Sequence, residues 1–104
     1  MLEGNLYEIL DRAEGCATVH LLPGSPIYAA HFPGYPITPG VTITQMALEL
    51  MGRRMTGARE VKFLVPLLPD ATVRFEWTPL AEDRVEVNVY QGADSLCAKM
   101  TLLV

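Results

Sequence analysis

The chain has 104 residues, of which half are apolar and 19% are charged, and its formal net charge is −4. This length supports a single domain spanning residues 1–104, and the acidic balance argues against a nucleic-acid surface, which needs a basic face to displace counterions. The apolar fraction exceeds what a small monomer buries, so we expect a dimer that covers the surplus.

No stretch of the sequence approaches the ~20 apolar residues of a membrane helix, and the N-terminus lacks the basic start of a signal peptide. We therefore predict a cytoplasmic protein that does not bind membranes. Cys16 and Cys97 lack metal-like spacing and are typical of small buried residues without a disulfide. His20 and His31 have no ligand-like neighbours, so no metal site is predicted and His20 is interpreted as structural.

The N-terminal third contains three predicted elements. Apolar residues within 6–10, before the helix breaker Gly15, suggest a short amphipathic helix. Residues 16–22 are β-branched and apolar enough for a strand, which the turn residues 23–26 end. A brief extended segment is expected at 27–31.

One titratable imidazole lies in a proline-rich turn just before an apolar helix. Residues 31–41 read HFPGYPITPGV, so the backbone around His31 is preorganised. Thr38 can cap the helix and Pro39 suits its first position. The N–H groups of Gly40 and Val41 then have no intrahelical acceptor and suit an oxyanion.

Residues 41–55 have helical length and no proline, and apolar side chains cover most of the circumference, which predicts a buried helix. Its polar residues Thr42, Gln45, Glu49 and Arg53 recur at steps of three and four and form one stripe. The stripe suggests a polar pocket. A plain ion pair between Glu49 and Arg53 is the favoured alternative for that carboxylate.

The second half of the chain has strand patterns separated by turn residues. They cover residues 58–65, 71–79, 84–90 and 95–104, and within 84–89 valines alternate with polar residues. One buried helix followed by an antiparallel meander predicts an α+β fold in which the sheet wraps the helix.

The segment 26–41, PIYAAHFPGYPITPGV, resembles the signature of the β-hydroxyacyl-acyl-carrier-protein dehydratases, and residues 61–70, VKFLVPLLPD, are similar to a later stretch of that family. The resemblance implies a hotdog fold and an active site across a homodimer interface or within a higher oligomer of dimers. It also implies a 3-hydroxyacyl thioester substrate carried on the phosphopantetheine of acyl carrier protein or on coenzyme A, with no other cofactor. The implied pathway is fatty-acid or related acyl biosynthesis.

The resemblance makes His31 the catalytic base. The family places a glutamate or aspartate of the other subunit fourteen residues further on, where this chain has Gln45. A carboxamide cannot protonate the leaving hydroxide, so Gln45 would donate a hydrogen bond or position a water. The substrate-binding residues expected beside this pair are Phe32, Gly40, Val41 and Glu49.

Several hypotheses follow from the amide at position 45. His31 serves in turn as base and acid, Glu49 substitutes for the acid, or dehydration is lost. A hotdog thioesterase, with water positioned by an amide, is one alternative. Another is a non-catalytic acyl-binding subunit that lends His31 to a related chain in a heterodimer.

A local excess of positive charge follows the predicted helix. Within residues 53–62 there is only one acidic residue, and the basic residues are Arg53, Arg54, Arg59 and Lys62. Such a patch is often just a solvated face, but its position also favours docking of an acidic acyl carrier protein.

Overall fold

The structure is a computed structural model that describes residues 2–30 and 34–104. In chain order, its elements are β1 (Tyr7–Ala13), β2 (Cys16–Leu21), α1 (Pro26–Ala30), α2 (Gly40–Met51), β3 (Gly57–Phe63), β4 (Thr72–Ala81), β5 (Arg84–Gln91) and β6 (Ser95–Leu103). The strands form one antiparallel sheet in the order β1-β2-β4-β5-β6-β3.

The core lies between the inner face of this sheet and α2. Alternate residues of each central strand point inwards, as predicted for the valines of β5, because successive side chains of a strand face opposite sides. The helix contributes Ile43, Met46, Ala47 and Leu50, and the strands contribute Val19, Phe75, Val87, Met100 and Leu102, all at most 4% exposed. This confirms the predicted α+β arrangement around a central helix.

Of the three elements predicted in the N-terminal third, the strand is confirmed as β2 and the other two are wrong. The predicted short helix at 6–10 is instead the start of β1, where Tyr7 pairs with Leu21 and Ile9 with Val19. The apolar residues at this spacing fit the period of a strand as well as that of a helix, and the pairing with β2 selects the strand. The predicted extended segment at 27–31 is instead α1 as far as Ala30, and its Tyr28 N–H donates to the Ser25 carbonyl at 3.2 Å.

The central helix is shorter than the predicted 41–55. Gly52 adopts φ 67°, a left-handed conformation that ends helices, and its N–H donates to the Glu49 carbonyl. In the same turn, the Arg53 N–H donates a hydrogen bond to the Leu48 carbonyl at 3.1 Å. The last residues of the predicted helix, including Met55, therefore lie in the loop that leads to β3.

The two edges of the sheet differ in their apolar exposure. On β1, the large apolar residue that is exposed is Leu10, and a bulge between Ile9 and Asp11 interrupts the ladder. On β3 and the segment that follows it, Val61, Phe63, Leu64, Val65 and Leu68 are all at least 39% exposed.

Neither helix in the part of the chain described has the length and apolarity that a membrane crossing requires.

Candidate active site

A cleft of about 560 Å³ opens beside the C-terminal half of α2 and the loop that follows it. It is lined by Gln45, Leu48, Glu49, Gly52, Arg53, Arg54 and Met55. Gln45 is exposed on the helix surface and Glu49 lies one turn further on, half-buried. The cleft thus carries an amide and a carboxylate towards the middle of the helix and two guanidinium groups past its end.

The carboxylate of Glu49 joins three parts of the chain. Its two oxygens each accept from the Leu2 backbone N–H at 3.0 Å, and Oε1 also accepts from the Tyr7 hydroxyl at 2.9 Å. Oε2 accepts from Gln45 Nε2 at 3.1 Å. Burial by itself would raise the pKa of Glu49, but the hydrogen bonds from Gln45, Leu2 and Tyr7 outweigh it and hold this pKa below its ordinary value.

Tyr7 is the buried member of this cluster, with only 1% of its surface exposed. Burial, together with the hydrogen bond to the Glu49 carboxylate and the charge of that carboxylate, raises the pKa of the Tyr7 phenol well above its ordinary range. The phenol therefore stays a neutral donor to Glu49. Sequence reasoning missed this residue because 42 positions separate it from Glu49 and no local signal joins them.

The ion pair between Glu49 and Arg53 favoured from the sequence is wrong. The three donors described above occupy the carboxylate, and the Arg53 guanidinium donates instead to the Glu82 carbonyl at 3.3 Å. Helix α2 also ends before Arg53, which removes the regular i,i+4 geometry on which such a pair depends.

The four basic residues predicted to form one docking patch fall into two pairs. Arg53 and Arg54 line the cleft, beside Gln45. Arg59 and Lys62 lie on β3, where both are exposed and Lys62 Nζ is 3.0 Å from the Glu60 carboxylate. The pair in the cleft is thus the one next to the candidate site.

The start of α2 differs in detail from the predicted cap. Pro39, not Thr38, is the N-cap residue, and its carbonyl accepts from Thr42 and Ile43. The Thr38 hydroxyl pairs with the Tyr28 hydroxyl at 2.9 Å, which prevents it from capping the helix. This buried bond joins α1 to the residues just before α2. The predicted site residues His31 and Phe32 fall outside the residues that the structure describes.

A second cavity, of about 230 Å³, lies between the start of α2 and the residues after β3. Gly40 is one of its lining residues, and a Cβ atom there would lie 2.5 Å from Cε2 of Phe63, so any other residue at this position would displace that ring. The Val41 side chain is 79% exposed. The backbone N–H groups of Gly40 and Val41 are placed in the first turn, as predicted, and their use by a substrate stays a prediction.

Residues 10–101 match the protein family described as ApeI-like, ApeI dehydratase. The chain belongs to the ApeI-like dehydratase family. The match covers every strand and both helices except the first three residues of β1 and the last two of β6. No curated protein sequence matches the chain closely enough to serve as a relative.

Solved structures share the fold of this ApeI-like chain. The dehydratase heterocomplex ApeI:P from Xenorhabdus doucetiae is 19% identical with a TM-score of 0.70, covering 97% of each chain. An uncharacterized protein from Erwinia carotovora subsp. atroseptica is 17% identical with a TM-score of 0.73, covering 94% of each chain. The PaaI protein of E. coli is 12% identical with a TM-score of 0.64 and covers 97% of this chain and 79% of its own. The predicted hotdog fold is confirmed.

Proposed function

We propose that the chain is a dehydratase-like lyase that converts 3-hydroxyacyl thioesters into 2-enoyl thioesters and water. The observation that carries this proposal is the membership of the ApeI-like dehydratase family over residues 10–101. The position of Gln45 supports it, because this amide stands exposed on the rim of a cleft of about 560 Å³, at the point on the central helix where the family resemblance places the second site residue.

The proposed site lies between two subunits. The open edge at β3, with the exposed apolar residues Val61, Phe63 and Leu64, is the surface on which we propose that a second copy packs. A related chain is the alternative occupant, since the Xenorhabdus doucetiae protein with the same fold is described as a heterocomplex. In either assembly, His31 of one subunit would face Gln45 of the other.

In the proposed chemistry, His31 carries out both proton transfers. His31 removes the Cα proton, the electron pair of that bond forms the Cα–Cβ double bond, and the C–O bond of the 3-hydroxyl breaks. The imidazolium then returns the proton to the leaving hydroxide, which departs as water. Backbone N–H groups at Gly40 and Val41 would stabilise the enolate oxygen of the thioester. Phe32 would line the substrate position.

The substrate carrier is proposed to be acyl carrier protein. Arg53 and Arg54 flank the cleft and present the positive charge that an acidic carrier would meet. Under this proposal Arg54→Glu raises the KM for a carrier-borne substrate and leaves that for a coenzyme A thioester nearly unchanged. Lys99→Glu, at an exposed position of β6, is the charge-matched control.

The test is an assay of the purified protein with a 3-hydroxyacyl thioester on each carrier. We expect the absorbance of the enoyl thioester to rise without release of free thiol, and His31→Ala to lower the rate about a hundredfold or more. His20→Ala, the matched change at the other histidine, should keep the activity.

Other outcomes would replace the proposal. Release of free thiol, lost in His31→Ala, would indicate a thioesterase. Turnover only after a related second chain is added would indicate a partner subunit of a heteromeric dehydratase. No turnover under any of these conditions would refute an enzymatic role at this site.

A further inference from the structure

The direction in which the Gln45 amide points is fixed by its neighbour on α2. A carboxylate has only acceptor atoms, and Glu49 Oε2 lies 3.1 Å from Gln45 Nε2. If the Gln45 amide were turned to exchange its nitrogen and oxygen, its oxygen would face the Glu49 oxygen. Two acceptors would then be in contact without a proton between them. The amide therefore turns its N–H edge towards Glu49 and its Oε1 away from it.

Glu49 cannot easily move away from Gln45, because two other donors hold it. The Leu2 N–H binds both carboxylate oxygens and the buried Tyr7 hydroxyl binds Oε1. The carboxylate is thus tied to the N-terminal segment and to β1 while it accepts from α2. These bonds favour the ionised form, which keeps Glu49 an acceptor near neutral pH.

We infer that Glu49 is a positioning residue that makes Gln45 a hydrogen-bond acceptor towards the cleft, so that the amide oxygen accepts the proton of the substrate 3-hydroxyl or of a water. This inference rests on the proposed function for the substrate, while the orientation rests on the contacts alone. The role differs from that of an acid, since Gln45 transfers no proton.

In dehydration, the hydrogen and the oxygen of the 3-hydroxyl would then interact with different residues. Its hydrogen is directed to Gln45 Oε1, which leaves a lone pair of the hydroxyl oxygen free to take the proton from the His31 imidazolium. The C–O bond then breaks with water as the leaving group, and Gln45 keeps only the hydrogen bond. Orientation of the lone pair is a positioning effect that raises kcat more than it lowers KM.

The first experiment compares Glu49→Gln with Glu8→Gln, the same chemical change in an exposed cluster outside the cleft. A glutamine at 49 can donate as well as accept, which releases the restraint on the Gln45 amide. We expect kcat for dehydration to fall about tenfold or more with KM changed less than about threefold, and Glu8→Gln to behave like the wild type. Equal kcat values for Glu49→Gln and wild type would overturn the inference.

The second experiment reads the orientation without turnover. The side-chain amide proton signals of Gln45 should shift and move closer together in Glu49→Gln, because the proton directed at Glu49 loses its charged acceptor. Those of Gln91 should stay in place, because Gln91 is held separately by the Leu68 N–H and the Pro66 carbonyl. Unchanged Gln45 signals would overturn the inference, whereas shifted signals in a protein without turnover would refute the proposed function alone.

A gain-of-function variant covers the case in which Glu49→Gln folds poorly. Gln45→Glu places a second carboxyl within about 3 Å of Glu49, and two such groups share one proton because both cannot ionise. Its kcat should therefore depend on a protonated carboxyl that titrates above the ordinary range of glutamate. A pH profile of Gln45→Glu in which that carboxyl titrates in the ordinary range of glutamate would contradict a direct coupling of positions 45 and 49.

Discussion

Two polar clusters join distant segments of this chain, and they differ in the charge at their centre and in their access to water. In the first, the half-buried Glu49 carboxylate accepts from Leu2, Tyr7 and Gln45. In the second, the His20 ring lies between two exposed carboxylates, 3.1 Å from Glu8 and 2.6 Å from Asp70.

The difference shows what burial adds to a hydrogen-bond cluster. A group such as the Tyr7 hydroxyl has no water to replace a lost partner, so the first cluster fixes geometry and contributes strongly to stability. Around His20, water replaces each lost bond, and a surface ion pair contributes little. The first cluster also touches the proposed site, whereas the second ties β2 to β1 and to the turn before β4.

Removing the central carboxylate should have the largest effect. Glu49→Ala leaves the Tyr7 hydroxyl buried without its acceptor and frees the Leu2 N–H, so the free energy of unfolding should fall by about 1–3 kcal/mol. Chemical denaturation measures this change. Glu14→Ala, at an exposed turn, should change it by less than about 0.5 kcal/mol. Equal effects of the two variants would contradict the contrast between buried and exposed acids.

Removing one donor should have an intermediate effect. Tyr7→Phe keeps the buried ring and loses only the hydroxyl, so we expect a loss of about 0.5–1.5 kcal/mol in the free energy of unfolding. Tyr90→Phe is the matched control, on the outer face of β5 where the ring packs against the Arg74 guanidinium. A Tyr7→Phe variant more stable than the wild type would show that the cluster is strained.

The smallest effects should appear in the pH dependence of stability, with opposite signs. The lowered pKa of Glu49 means that its contribution is present above the ordinary glutamate pKa and is lost as the pH falls through the folded-state pKa. Hydrogen bonds to Asp70 and Glu8 raise the pKa of His20, so its contribution is present below about pH 6.5 and is lost as the pH rises through the raised value.

Thermal melts across the pH range separate the two contributions. Glu49→Gln should flatten the decline of stability on the acid side, and His20→Ala should flatten the decline above about pH 6.5. His20→Ala should otherwise change stability less than Tyr7→Phe. If His20→Ala instead altered the acid side, the assignment of the two clusters would be wrong.

Sequence patterns predicted most of the sheet and helix because the signals there were local. The alternating valines of β5 and the turn residues around β4 and β6 fix strands within a few positions. Residues 6–10 were misjudged because their apolar spacing fits a helix as well as a strand, and only pairing with β2 distinguishes them. The early end of α2 depends on the left-handed Gly52, which a helical pattern continuing to Met55 conceals.

The site was predictable only along the helix. Gln45 and Glu49 were expected on one stripe because four residues make one turn, and they do meet. Tyr7 and Leu2 were not foreseeable as their partners, since 42 and 47 positions separate them from Glu49. The basic residues are close in sequence but belong to different elements: Arg53 and Arg54 lie in the loop after α2, while Arg59 and Lys62 lie on β3.

The proposal that His31 of one subunit and Gln45 of another form the active site is tested most directly by mixing two impaired variants. His31→Ala and Gln45→Ala, each with a rate well below that of the wild type, should regain activity when unfolded and refolded together. Random pairing in a two-fold dimer gives half mixed dimers with one intact site each, so about a quarter of the wild-type rate is expected. Refolding that restores the dimer without any activity would contradict a site shared between subunits.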